Sequence, residues 1–297
     1  MARHRAERRA IRAGYGGAGV NMYMSMDNIG FENEGKIKTI DSESKRWQFI
    51  YDIAKVYGFE GIHVTPPMYD SLGLDLNNIP DYLQDFRLTL HYGGHHKFAS
   101  EEEYSAFDEK FSRIFEIALK HNMHDISLHP PLDNANGFSP DEKKICEGWF
   151  DKIISKWLKE ASRSNISLSL ETHVTGRFFL FDGLHEYAKF IGKHPELGVL
   201  IDISHNYYDG FSEDDIISIL GDKNVTALHI SDAIQGAGFR EGTHLAVGDG
   251  TVDFAKLLNH FKANPNLVGV LEIKAGNEGI GGSLDKLKGL LKGLEGE

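Results

Sequence analysis

The sequence predicts an α/β protein of the (β/α)8 barrel class, on three observations. Eight short strand-like runs follow one another between residue 20 and the end of the chain. Most of the gaps between them carry amphipathic-helix signals, the alternation that builds a parallel sheet wrapped in helices. The runs also end repeatedly in His, Asp or Glu, at the strand ends where barrel enzymes place their chemistry. A doubly wound open sheet competes, but it requires a glycine-rich dinucleotide loop after the first strand. Here "GYGGAG" precedes that strand.

Taken in order, the strand runs are VNMYMSM (20–26), GIHVT (61–65), RLTLHY (87–92), DISLH (125–129), ISLSLE (166–171), GVLIDI (198–203), TALHIS (226–231) and VGVLEI (268–273). Between the first two, Trp47, Ile50, Ala54 and Tyr57 form an apolar stripe that Gly58 stops. A less patterned helix is expected at 78–85. Ser100 followed by Glu103 reads as a capping box, and Tyr104, Phe107, Phe111, Ile114 and Ala118 as the face behind it. Ser139-Pro140-Asp141-Glu142 places a cap, a first-turn proline and a third-position glutamate ahead of a stripe of Ile145, Trp149, Ile153 and Trp157. Segments 183–192, 212–220, 252–262 and 283–292 supply the remaining helices.

Composition narrows the function classes. A chain of 297 residues, 41% hydrophobic, can bury one large core, and no linker interrupts residues 20–297, which read as a single catalytic domain. The net charge of −12 disfavours a generic nucleic-acid coat while leaving room for an enzyme with a local basic groove. Cys146 is the only cysteine, so no intrachain disulfide or cysteine-ligated metal can form, and a reducing, cytoplasmic setting fits. No apolar run approaches the ~18–20 residues of a membrane span, so no membrane partner is expected. Residues 1–19 hold five arginines against one glutamate and lack the apolar segment of a secretory signal. They read as a disordered N-terminal extension outside the fold.

Any metal chemistry therefore falls to Asp, Glu and the fifteen histidines. Side chains alternate across a strand, and the apolar set of each run suits the helix layer. Leu168 and Leu170 then face out and Glu171 faces into the barrel mouth. By the same parity Asp202, His229 and Glu272 face in, as do His63, His91 and His129. Beyond the strand, the turn decides where His205 points. A single strand-end histidine is more often structural than a ligand. Three converging carboxylates are harder to explain that way: they repel unless protons or a cation hold them, and a divalent metal does so directly.

These residues resemble the xylose-isomerase-like TIM-barrel superfamily, which includes sugar isomerases and epimerases and the endonuclease IV branch. The resemblance covers residues 20–297 and rests on "SLETH" (169–173), "IDISH" (201–205), "LHISDA" (228–233), "THLAVGDGTVDF" (243–254) and "LEIK" (271–274). It implies that Glu171, Asp202, His229 and Glu272 share a divalent metal (Zn, Mn, Mg or Co). In the isomerase and epimerase branch it further implies that Glu171 and Glu272 act as the acid/base pair on a sugar or sugar phosphate. His205, Arg240 and Lys274 would then orient hydroxyls or a phosphate.

The endonuclease IV branch implies instead a cluster of more than one zinc that cleaves a phosphodiester beside an abasic site, with nucleic acid as partner. His91, His129, His205 and His244 stand where its additional ligands would be. The sequence departs from that branch at Gly242 and Thr243, where aspartate and arginine are expected, and at Ser231 and Ile234, where asparagine and lysine are. Only a side chain such as Glu241 could replace the missing aspartate. The isomerase/epimerase reading is therefore preferred, and an intact set of four presumed ligands argues against a barrel that has lost activity.

Lesser features receive less weight. "GDG" (248–250) reads as a turn before the helix at 252 more readily than as a phosphate cradle. "HYGGHH" (91–96) suits a mobile loop. Tyr207 and Tyr208 are candidates for stacking on a sugar or base, and Asp232 for orienting a ligating histidine.

Overall fold

A computed structural model describes residues 20–25, 36–94, 96–133, 135–264 and 266–295. The arginine-rich segment 1–19 and His95 lie outside these. Eight parallel strands close into a barrel in sequence order: β1 Asn21–Ser25, β2 Gly61–Val64, β3 Arg87–Tyr92, β4 Asp125–Leu128, β5 Ser167–Glu171, β6 Gly198–Asp202, β7 Val225–Ile230 and β8 Val268–Leu271. Closure is direct, with Tyr23 of β1 level with Val270 of β8 and with Gly61 of β2. The expected barrel is the observed one.

Local chemistry accounts for the surrounding helices. α1 (Glu43–Tyr57) starts at Ser42, whose hydroxyl accepts the Lys45 N–H, and stops at Gly58 with φ 70°. α2 (Pro66–Leu72) follows β2. The expected helix at 78–85 is instead two 3-10 turns, Leu76–Asn78 and Asp81–Asp85, separated by Pro80. α3 (Glu101–Lys120) is capped by Ser100, but Glu103 returns its carboxylate to the Ala99 N–H, so the box is only half formed.

α4 (Pro140–Ser164) carries the full capping box. Its buried face runs through Cys146, Phe150, Ile153 and Trp157, and Ile145 is 48% exposed. The expected stripe stepped by four residues throughout, which rotates about 40° per step around a helix of 3.6 residues per turn and drifts off the core. Alternating steps of four and three hold the face.

The remaining helices are α5 (Leu184–Lys193), α6 (Ile203–Tyr208), α7 (Glu213–Leu220), α8 (Phe239–Gly242), α9 (Phe254–Phe261) and α10 (Asn277–Glu295). None among the described residues is long and apolar enough to cross a membrane. The main core lies between barrel and helices, and a small cluster of Tyr23, Val268 and Val270 fills the barrel interior with Ala227 packed on it. Gly61 makes room for that plug, since a β-carbon there would come within 2.8 Å of the Tyr23 ring. Above the plug the interior turns polar, and that layer carries the site.

Candidate metal centre

Glu171, Asp202 and His229 bring ligand atoms within 4.8 Å of one another from the ends of neighbouring strands, and Glu272 adjoins them through His229. Glu171 is the last residue of β5 and Asp202 the last of β6, His229 lies near the end of β7, and Glu272 follows β8. Their outward neighbours Leu170, Ile201, Leu228 and Leu271 are fully buried in the helix layer, which forces the polar set inward. His229 Nδ1 lies 2.5 Å from Glu272 Oε2, 3.6 Å from Glu171 Oε1 and 3.7 Å from Asp202 Oδ2.

Asp202 divides its two oxygens between folding and chemistry. The chain leaves the strand at Asp202, one residue earlier than expected, because that carboxylate caps α6: Oδ1 accepts the His205 N–H at 2.8 Å and the Ser204 hydroxyl at 3.0 Å. Ile203 is therefore the first residue of a helix, not the last of a strand. Oδ2 remains for the site, and the short helix turns His205 back so that its Nδ1 lies 3.3 Å from Asp202 Oδ2 and 3.6 Å from Glu171 Oε1.

Two further groups adjoin the first. His91 Nε2 and His129 Nε2 lie 3.2 and 2.9 Å from Glu171 Oε2. His205 Nε2 and His244 Nε2 are 3.2 Å apart, and His205, His244 and Asp202 form a third group whose ligand atoms lie within 4.8 Å of one another. His244 holds φ at 53°, in the left-handed region that a residue with a β-carbon seldom adopts. Glu241 is exposed and belongs to none of these groups, so it does not replace the aspartate absent at Gly242. A β-carbon at Gly242 would lie 2.9 Å from Ile234 O, so the backbone there leaves no room for one.

Charge explains how this cluster survives burial. Burial alone would neutralise His229, but Glu272 and Glu171 hold its pKa well above the ordinary histidine value. Burial likewise opposes the Glu171 carboxylate, yet His129, His229 and His91 draw its pKa well below the usual range. Burial dominates at His91, which is pushed toward the neutral form. Glu171 Oε2, Asp202 Oδ2, His229 Nδ1, Glu272 Oε2 and His205 Nδ1 are all buried without a directed hydrogen bond. Buried polar atoms are seldom left so. Lone pairs from three carboxylates and imidazoles aimed at a common space are the donor set a divalent cation takes, so the residues fit such an ion.

The expected substrate-orienting residues ring this space unevenly. Lys274 lies 3.4 Å from Thr243 Oγ1 and 5.3 Å from the centre of the Phe239 ring, and partial burial pushes its pKa down. Arg240 stands exposed on α8. Asp232 makes no hydrogen bond to His229; its carboxylate accepts the N–H groups of Ala233, Gly248 and Val252 and so organises the loop after β7. The Gly248 N–H is thereby committed, and "GDG" is the turn expected of it. The Tyr207 hydroxyl donates to Thr251 O, and Tyr208 packs edge-on against Phe239.

Two features of the site were not anticipated. Thr172 Oγ1 accepts the Asp202 N–H at 2.8 Å and the Asn206 amide at 2.7 Å, clamping the turn that carries Asp202 and His205. His173 lies between His129 and His205, with ring centres 4.9 and 4.6 Å away, and its Nδ1 is buried without a hydrogen bond. Strand parity carried two residues beyond Glu171 would have placed it.

Below this turn, Asp209 accepts the Thr175 N–H at 2.7 Å, and burial raises its pKa to about 6. A carboxyl whose folded pKa exceeds its unfolded value contributes stability below the unfolded pKa, and that contribution is lost as pH rises through the folded one. Asp209→Asn keeps an accepting oxygen without the charge. It is expected to raise the unfolding temperature by about 2 °C near pH 8, of order 1 kcal/mol after discounting for partial exposure, and to change nothing near pH 4. Calorimetry at the two pH values measures the difference.

The model of the family described as xylose isomerase-like TIM barrel matches residues 51–290. No curated protein sequence matches. Among solved structures, a D-tagatose 3-epimerase-like protein is 15% identical, with 93% of this chain and 98% of that one covered and a TM-score of 0.70. D-psicose 3-epimerase with D-tagatose, from Clostridium cellulolyticum H10, is 12% identical over 92% and 99% with a TM-score of 0.67. The IolI protein with a bound zinc atom is 12% identical over 93% and 98% with a TM-score of 0.66. At these identities the likeness is one of fold.

Proposed function

This chain belongs to the xylose isomerase-like TIM-barrel family, and from that premise we propose that it is a divalent-metal-dependent isomerase or epimerase of a sugar or sugar phosphate. The observation that carries the reading is the cluster of Glu171, Asp202 and His229, whose ligand atoms lie within 4.8 Å of one another, with Glu272 joined to it at 2.5 Å from His229 Nδ1. Structures of the same fold include a D-tagatose 3-epimerase-like protein, D-psicose 3-epimerase with D-tagatose and a zinc-bound protein, which accords with it.

A bound divalent cation supplies Lewis-acid polarisation of adjacent carbonyl and hydroxyl oxygens, which acidifies the proton on the carbon between them. The chain's own residues do the rest. The Glu272 side chain is 15% exposed against 2% for Glu171, so Glu272 is the glutamate that reaches a substrate at the mouth and takes its proton. Glu171, buried among imidazoles, is the second carboxylate of the pair; His129, whose pKa Glu171 helps raise, supplies the proton that Glu171 passes back to the carbon. His205, Arg240 and Lys274 bind hydroxyls or a phosphate.

A second reading is kept because His91 and His129 press on Glu171, and His205 and His244 on Asp202. Those contacts offer more cation positions than proton transfer needs, and a polynuclear site suits phosphodiester cleavage of abasic DNA. Zinc counting by mass spectrometry, joined to a panel of ketoses, ketose phosphates and abasic duplex DNA, separates them. The isomerase reading expects interconversion of a ketose or its phosphate, lost on chelation and restored by metal. Undiminished activity in metal-free protein would overturn it, as would DNA cleavage with three zinc ions per chain and no action on sugars.

A further inference from the structure

Beneath the carboxylates, the polar layer of the barrel interior contains side chains that none of these roles uses. His63 on β2 is 4% exposed; its Nδ1 lies 2.6 Å from Thr89 Oγ1 on β3, and its Nε2 lies 3.3 Å from His229 Nε2 on β7. Ser127 on β4 stands beside it, with Oγ 2.8 Å from His91 Nδ1 and 3.4 Å from both Leu90 O and His63 Nε2.

A neutral imidazole has one N–H, so each placement decides what the other nitrogen can do. At His91 the proton belongs on Nδ1, donated to Ser127 Oγ, which leaves the Nε2 lone pair toward Glu171. At His229 it is Nδ1 that faces Glu171, Asp202 and Glu272. To bind a cation there Nδ1 must be bare, and the proton must stand on Nε2, buried inside the barrel. A ligating histidine nearly always hands that second N–H to an acceptor. The side-chain nitrogen in place to receive it is His63 Nε2. Ser127 competes for that nitrogen but has Leu90 O as an acceptor of its own.

We infer that His63 is a positioning residue of the metal centre: it accepts the Nε2–H of His229 and so fixes the tautomer that presents Nδ1 to the cation. Its own proton is on Nδ1 and is donated to Thr89 Oγ1, which completes a chain from β3 through β2 to the ligand on β7. The inference rests on the reading of His229 as a metal ligand. It differs from a cation held by His63, His91 and His229 themselves, whose nitrogens also lie within 4.8 Å of one another. Such an ion would strip the proton from His229 Nε2 and leave Nδ1 protonated among the carboxylates.

Nitrogen-15 correlation spectra of the histidine side chains in zinc-loaded protein report the tautomers directly. Expected are His229 protonated at Nε2 with Nδ1 coordinated, and His63 protonated at Nδ1. His63 protonated at Nε2, or both facing Nε2 atoms bare and zinc-shifted, would overturn the inference. Zinc affinity by chelator competition gives an independent readout: His63→Phe is expected to weaken binding about 10–100-fold, and His63→Gln, whose amide oxygen still accepts, to stay within about threefold of wild type. Wild-type affinity in His63→Phe would also overturn it, and if that variant fails to fold, the wild-type spectra decide. His229→Gln tells the two failures apart. Loss of zinc there with none in His63→Phe refutes the positioning role alone, whereas retention of zinc in His229→Gln refutes the ligand reading beneath it.

Discussion

Glu171→Gln is expected to leave a folded barrel that no longer retains a divalent ion and turns over about 10³-fold more slowly or worse. Its carboxylate is approached by four imidazoles: His91 and His129 meet Oε2 while His205 and His229 approach Oε1. Glutamine preserves the shape but removes the charge that these imidazoles and any cation depend on. Metal stabilisation of developing charge is worth several kcal/mol, which sets the rate effect. Chelation, reloading and metal analysis measure the first effect, with circular dichroism to verify the fold. Wild-type metal content in the variant would remove Glu171 from the ligand set.

The second large effect is expected at Glu272. Its side chain is the more exposed of the two glutamates, and it lies 2.5 Å from His229 Nδ1. Glutamine at 272 keeps an oxygen for the cation but cannot accept a proton. Metal is therefore expected to remain, while turnover falls about 10²–10⁴-fold, the range for losing a general base. Solvent deuterium incorporation beside the substrate carbonyl, followed by proton NMR, should fall by the same factor. Exchange at the wild-type rate in Glu272→Gln would assign the base elsewhere, with Glu171 the remaining carboxylate of the pair.

Helix caps and strand order were legible residue by residue, because they depend on neighbours in the chain. Ser139 with Pro140 and Glu142 closed a capping box where the pattern placed it, and Gly58 ended its helix in the left-handed conformation. Two of the failures were of rotation and of partnership. Ile145 fell off the buried face because steps of four residues drift around a helix. Asp232 was expected to orient a ligating histidine and instead holds loop backbone, since a carboxylate is satisfied by whichever N–H donors the fold brings nearest.

By itself the sequence determined the barrel, the strands that end in ionisable residues and the side of the sheet on which Glu171, Asp202, His229 and Glu272 stand. A period of two is a local property, and burial of the apolar set leaves the polar set only one direction. The tertiary structure alone decided what those groups meet. It brought His63 on β2 beneath His229 on β7, 166 residues away, and His244 against His205. Contacts across the barrel depend on closure and on the stagger between strands, and no pattern along one strand encodes either.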